Sequence, residues 1–291
     1  MSSAQAIELA YEKCRRQAEK HYENFPVGSL LLPKKQRAWI HAVYAFARTA
    51  DDFADENIGQ LGIEDRLELL DRWEHDLDLA LGGKPRGEIF IALASAIKDA
   101  RLDVQLLRDL LSAFRQDVVK NRYQNFSEVL DYCRRSANPV GRLVLQVFDY
   151  RDEQRAALSD HICTALQLAN FWQDISVDIG KDRIYLPIEE MQAYGVTVDS
   201  IKNFQPTSGF RKLLRFQCER TREIFDRGRP LVGLLDKGLK LEIKLTWLGG
   251  TEILRLIAGQ NYDTLSRRPH ISKPRAVLLL LKALITNWNN P

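Results

Sequence analysis

Apolar positions along this chain recur at three- and four-residue steps, over long stretches free of glycine and proline. Between Lys34 and Ile58, the residues Trp39, Val43, Phe46, Ala47, Ala50 and Ala54 follow that spacing, which lines one face of a helix. Between Arg142 and Ile179, Leu158, Ile162, Ala165, Leu166 and Ala169 do the same. Both windows are too long for strands. Further helices are predicted over about 4–20, 64–81, 88–100, 104–121, 126–136, 208–227, 239–258 and 273–288. Alternating Val/Ile/Thr runs bounded by hairpin dipeptides are missing, so sheet content is expected to be close to nil. The segment Gly180–Phe210 is expected to be the least regular. No repeat, low-complexity tract or long linker interrupts the pattern, which predicts one all-α domain over residues 1–291.

Composition narrows the function classes. Lys plus Arg number 42 and Asp plus Glu 39, so the basic excess expected of a nucleic-acid-binding protein is missing and no such partner is expected. The charge is unevenly spread. From Arg211 onward there are 16 basic and 7 acidic residues, net +9, against net −6 over 1–209. A basic, apolar carboxy-terminal third suits peripheral contact with an anionic membrane, or a diphosphate. Cys14, Cys133, Cys163 and Cys218 form no CxxC pair, which argues against a disulfide scaffold or zinc site and fits a reducing, cytoplasmic setting. The amino terminus is charged too early for a signal peptide. The longest apolar run, Ala276–Leu281, is far short of the roughly 20 residues a membrane span needs. The expectation is a soluble protein that sits on the inner face of a membrane at most.

Two acidic clusters carry the chemistry. The first is Asp51-Asp52-Phe53-Ala54-Asp55; the second, in Asn170-Phe-Trp-Gln-Asp174-Ile-Ser-Val-Asp178, contains Asp174 and Asp178. In each, two aspartates lie four apart, so both carboxylates are expected on one helix face roughly 6 Å apart, where like charges repel. Set among Tyr44, Phe46, Phe53, Phe171, Trp172 and Ile175, such pairs call for a compensating cation. Mg²⁺ fits best, since it takes oxygen ligands and binds through one or two carboxylates together with substrate phosphates. Arg48, three and four residues before Asp51 and Asp52, is a candidate bidentate donor to a diphosphate.

These residues resemble a known family. Tyr44-Ala-Phe46-Ala-Arg48-Thr-Ala-Asp51-Asp52-Phe-Ala-Asp55 is similar to the first aspartate-rich motif of the squalene/phytoene synthases. Gln167-Leu-Ala-Asn170-Phe-Trp-Gln-Asp174-Ile-Ser-Val-Asp178, closing with Asp182-Arg-Ile-Tyr185-Leu-Pro187, resembles the second. Tyr132-Cys-Arg-Arg-Ser-Ala-Asn138-Pro139-Val-Gly141 resembles the tyrosine-containing helix between them. The resemblance runs from about His21 to Arg275, with the motifs in the correct order. Three features depart from the usual pattern: DISVD in place of a DVGED-like sequence, Asn138-Pro139 before Val-Gly, and Glu23-Asn24 where many relatives carry basic or hydroxyl residues. Together with NFPV and SANPVGRLVL, these departures resemble the hopanoid-associated branch.

The resemblance implies an isoprenoid-synthase helical bundle around a central cavity, Mg²⁺ dependence and prenyl diphosphate substrates. It implies Asp51, Asp55, Asn170, Asp174 and Asp178 as Mg²⁺ ligands, with Asp52 and Tyr132 also catalytic. It implies His21, Arg48, Gln167, Asn170, Tyr262 and Arg275 as substrate-binding residues. For the hopanoid branch the expected reaction is conversion of presqualene diphosphate to hydroxysqualene, with coupling to a presqualene diphosphate synthase. No GxGxxG or GxxxxGK[ST] sequence is present, and NADPH is expected not to be required. Three alternatives stay open: a head-to-head synthase condensing two prenyl diphosphates, a chain-elongating prenyltransferase, and a non-catalytic helical assembly factor. DISVD disfavours the second, and the intact aspartates disfavour the third. The outer histidines and cations (His41, Lys34, Lys35, Arg37) read as packing or solvated residues.

Overall fold

The computed structural model describes residues 3–20, 32–55, 61–286 and 288. Its helices, in chain order, are α1 (Ser3–Lys20), α2 (Lys34–Ala54), α3 (Ile63–Leu81), α4 (Gly87–Ala100), α5 (Val104–Val119), α6 (Phe126–Ser136), α7 (Asn138–Val147), α8 (Glu153–Asp178), α9 (Ile188–Ala193), α10 (Val198–Lys202), α11 (Ser208–Gly228), α12 (Lys237–Gly259) and α13 (Lys273–Ile285). Among the described residues the sole β-type pairing is a bridge between Arg122 and Ile184. The protein is all-α, as its periodicity predicts.

By contacts the chain forms two compact units, Met1–Val119 with Pro139–Glu153, and Lys120–Asn138 with Gln154–Pro291. In the first, α2 packs against α1, α3, α4 and α5. Of the predicted stripe it buries Trp39, Val43, Phe46, Ala50 and Ala54, and Ala47 is half-buried. Phe46 stacks on Trp73 of α3 at 5.9 Å, and Trp73 meets Phe90 of α4 at 4.5 Å. The indole N–H of Trp73 donates to the Phe46 carbonyl at 3.3 Å, so the aromatic centre is tied to the α2 backbone.

In the second unit α8 is buried on several sides at once, with Phe171, Trp172 and Gln173 all shielded in succession. A helix shielded on several sides shows no clean polar stripe. Trp172 donates to the Thr221 hydroxyl at 2.8 Å, and that hydroxyl donates to the Gln217 carbonyl at 2.7 Å. Glycines let the backbones close in. A Cβ at Gly228 would lie 2.6 Å from Ile162 Cγ1 and 2.9 Å from the Leu158 carbonyl oxygen of α8.

Helix ends depart from the pattern where local polar chemistry wins. The glycine-free window from Arg142 to Ile179 is split between α7 and α8 by Asp149, at φ +63°, a conformation Asp tolerates because its short side chain bonds locally. The expected helix end near Asn121 falls at Val119, because Asn121 and Tyr123 lend their carbonyls to Ile184 and Ile188 at 3.0 and 2.9 Å. α13 stops at Ile285 rather than 288, where the Lys244 ammonium caps the carbonyls of Ala283 and Thr286. Gly180–Phe210 is more ordered than expected, since it contains α9 and α10.

Gly228→Ala should destabilise the second unit by about 1–3 kcal/mol, because the added methyl meets α8 backbone that cannot yield. Gly233→Ala, whose Cβ meets nothing within 4 Å, should stay near the parent or gain up to about 1 kcal/mol. Urea denaturation midpoints at constant slope check the pair.

Candidate active site

The first carboxylate cluster ends α2. Arg48 reaches down its own helix to both neighbours, Nη1 lying 3.2 Å from Asp51 Oδ2 and Nη2 2.6 Å from Asp52 Oδ1. Asp55 does not lie on the helix. It is the C-cap, with extended backbone (φ −81°, ψ 136°), and its N–H donates to the carbonyls of Asp51 and Asp52 at 3.1 and 3.2 Å. The bond to Asp51 keeps Asp55 one turn beyond Asp51, while its extended ψ ends the helix there. Aspartate competes for backbone bonds and ends helices readily, and α2 stops one residue before it. Arg66, only 4% exposed, donates Nη1 to the Ala54 carbonyl at 3.1 Å. A buried guanidinium thus sits at the negative pole of α2.

The second cluster ends α8. Gln167, Asn170, Asp174 and Asp178 recur at three- and four-residue steps and so share one face. Asn170 donates Nδ2 to Asp174 Oδ2 at 2.9 Å. Arg268, from the segment after α12, grips the same carboxylate with Nε at 2.5 Å from Oδ1 and Nη2 at 3.2 Å from Oδ2. That segment is held on both sides. The buried Gln173 donates to the Pro269 carbonyl and Gln260 donates to the Arg267 carbonyl, each at 2.8 Å. Asp174, with the further negative field of Asp178, holds the Arg268 guanidinium above the usual arginine range.

An aromatic cluster adjoins this face. Tyr132 of α6 is 4% exposed, and its ring centroid lies 5.9 Å from those of Tyr123, Phe171 and Tyr185. Phe171 and Tyr185 stack at 3.7 Å with a 7° tilt. Tyr185 is delivered by the Ile184 bridge. Asp182 steadies that turn through Lys202 at 2.9 Å and Arg122 at 2.8 Å, which hold its carboxyl below the usual range. Asn138 of the tyrosine-helix motif accepts from Thr164 of α8 at 2.9 Å, a bond that the side chains of the usual Ala-Gly could not make.

Three expected site residues remain. His21, with Glu23 and Asn24, lies outside the described residues. Tyr262, at φ +55°, lies in the field of Arg215, Cys218 and Glu219 on α11; burial, opposed by Arg215, raises its phenol above the ordinary value. Arg275 forms a two-pronged pair with Glu252, Nε–Oε1 2.7 Å and Nη2–Oε2 3.1 Å, and Glu252 is shared with Arg255. Arg66 and Arg268 were missed by sequence reasoning. Arg66 carries no local signal. Arg268 sits in Ser-Arg-Arg-Pro, where the doubled arginine before proline was the available hint.

A family model for squalene/phytoene synthases matches residues 18–275. The chain belongs to the squalene/phytoene synthase family. It is 35% identical over 264 residues to a hydroxysqualene synthase of Rhodopseudomonas palustris, covering 90% of this chain and 88% of the relative. It is 28% identical to a 15-cis-phytoene synthase of Synechocystis, covering 94% and 84%. Among solved structures, squalene synthase HpnC from Alicyclobacillus acidocaldarius matches with TM-score 0.83 at 39% identity, over 90% of this chain and 99% of that one.

For a member of the squalene/phytoene synthase family, which acts on prenyl diphosphates, the donor chemistry is telling. Both helix ends offer hard carboxylate oxygens, and Asn170 adds an amide oxygen on α8. Among the described residues no three His, Cys, Asp or Glu side chains converge as a closed metal cage. A few carboxylates at an open helix end fit Mg²⁺, which completes its shell with water and phosphate.

Arg275→Gln tests whether that residue's role is structural. Burial pushes the Glu252 carboxyl up, but bonds from Arg255 and Arg275 outweigh it and the net shift is downward. A carboxylate lowered in the folded state contributes stability above its ordinary value near about 4.3, and that stability is lost as pH falls through the folded value. The variant should therefore lose about 1–2 kcal/mol at pH 7, at the low end because Arg255 remains. The gap to the parent should close on acidification below about pH 4. Thermal melts across pH check this.

Proposed function

We propose that the protein converts presqualene diphosphate into hydroxysqualene and pyrophosphate, supplying squalene and hopanoid biosynthesis. The observation that carries this reading is Asp174, held by Asn170 and Arg268 three residues from the aromatic cluster of Tyr132, Phe171 and Tyr185. Anion-handling groups thereby adjoin rings whose faces favour cations. The 35% identity to a hydroxysqualene synthase supports the water-quenching branch.

The reaction begins with cleavage of the bond between the substrate carbon and the diphosphate oxygen, the leaving group taking the electron pair. Arg48, with two donors already aligned beside Asp51 and Asp52, binds diphosphate oxygens and keeps them in line. Arg268 supplies further positive charge on the α8 side. Asp51, Asp55, Asp174, Asp178 and Asn170 would hold Mg²⁺, whose chemistry is electrostatic stabilisation of the departing pyrophosphate. Asp52 orients Arg48, and His21, Gln167, Tyr262 and Arg275 complete the substrate-binding set implied by resemblance. The cyclopropylcarbinyl cation left behind rearranges in apolar surroundings, with Tyr132 and Phe171 favouring positive charge. The oxygen of water then bonds to the cation and loses a proton, giving the alcohol. NADPH has no part in this route. The enzyme is cytoplasmic, works beside a presqualene diphosphate synthase, and contacts the inner face of the membrane.

A second reading, head-to-head condensation of two prenyl diphosphates, draws on the 28% identity to phytoene synthase over 94% of the chain. Incubation with Mg²⁺ and presqualene diphosphate, with and without NADPH, separates them. Hydroxysqualene without NADPH is the expected product. Squalene formed only with NADPH, or consumption of farnesyl diphosphate alone, would move the protein to the second reading. No turnover of either substrate would restore an assembly-factor role. Asp51→Asn and Asp174→Asn should each cut turnover by about 10²–10³ or more while the helical circular dichroism stays intact. Unchanged turnover would remove the metal role.

A further inference from the structure

Helix α13 inverts the usual pattern of a surface helix. Fourteen large apolar side chains are exposed among the described residues, and six of them lie on this one helix: Val277, Leu278, Leu280, Leu281, Leu284 and Ile285, between 38% and 81% exposed. The side that meets α12 carries only Leu279 and Ala283 as buried residues. At 100° per residue the outward arc centres on Leu281 and Leu284, opposite that buried pair. A helix packed on one side in water is expected to be polar on the other.

The helix is firmly seated despite this. Lys244 caps its carboxy-terminal carbonyls. Just beyond, Trp288 packs edge-on against Trp247 at 4.9 Å, with the Arg229 guanidinium 5.0 Å from its ring. The apolar arc is thus a fixed outer surface of the second unit. Charge complements it, since no Asp or Glu occurs after Asp263, while Arg267, Lys273 and Lys282 are exposed. At about 1.5 Å per residue a helix of 13 residues is about 20 Å long, too short to span a bilayer. No helix among the described residues is long and apolar enough to do so.

We infer that α13 lies flat in an anionic lipid surface, its Leu281–Leu284 arc among the acyl chains and Lys273 and Lys282 at the headgroups. The chemistry that recognises it is a negatively charged bilayer, which holds interfacial helices by apolar burial and lipid charge together. This deepens the proposed function by naming the element through which an enzyme of C30 lipids meets the membrane, and its purpose rests on that reading. The docking does not, because it needs no turnover.

The test is co-sedimentation of the full chain with vesicles of phosphatidylcholine alone or mixed with phosphatidylglycerol, beside L281Q/L284Q, K273Q/K282Q and an L9Q control on α1. The parent should bind the mixed vesicles, and binding should fall at least about tenfold in L281Q/L284Q with unchanged melting temperature. K273Q/K282Q should lose the preference for anionic vesicles, and L9Q should match the parent. Equal binding by L281Q/L284Q, or no binding by the parent, overturns the inference. A parent dimer that L281Q/L284Q converts to monomer, without vesicle binding, overturns it in favour of a second copy as the occupant. Vesicle binding without turnover would reject the reaction and leave the docking standing.

Discussion

Carboxylates at the carboxy-terminal ends of α2 and α8 are the constraint around which the polar contacts of each unit are arranged. A helix ends on unpaired carbonyls that carry about half a negative charge, so aspartates in its last turn add like charge to like. Asp51 and Asp52 sit there on α2, with Asp55 as its cap; Asp178 ends α8, with Asp174 one turn before it. The chain answers with arginine. Arg48 spans Asp51 and Asp52, Arg66 caps Ala54, and Arg268 grips Asp174. Planar donors suit these places because they match two oxygens at once and stay charged when shielded.

The packing of each unit serves these helix ends. In the first, Phe46, Trp73 and Phe90 fix the axis of α2, and the Trp73 indole is bonded to its backbone. In the second, Trp172 and Gln173 are consecutive buried residues of α8 with different tasks. Trp172 ties the helix to α11 through Thr221, whereas Gln173 holds Pro269 and so sets Arg268 beside Asp174. A residue that looks like core polarity is therefore one step from the carboxylate. Phe171, on the same turn, belongs to the aromatic cluster with Tyr132 and Tyr185.

One departure from the family pattern has a local structural role. Asn138 accepts from Thr164 of α8, a bond that the side chains of the usual Ala-Gly could not make. Asp182, which closes the second motif, takes a left-handed turn at φ +53° and brings Tyr185 to the aromatic stack.

Read alone, the sequence determined the helices, because three- and four-residue apolar spacing reports burial of one face directly, and most of the stripe of α2 is buried as predicted. It also determined the family and the aspartate clusters, since those residues lie close together along the chain. Helix ends were less legible. Asp55 and Asp149 take non-helical backbone angles that periodicity does not encode. Only tertiary structure decided the cationic partners from distant segments. Arg66 is 12 residues from Ala54 and Arg268 is 94 from Asp174, whereas Arg275, which the motif pattern assigned to substrate, is drawn to Glu252. Contacts that cross such separations depend on where the intervening helices run, and that is set by packing rather than by any local run of residues.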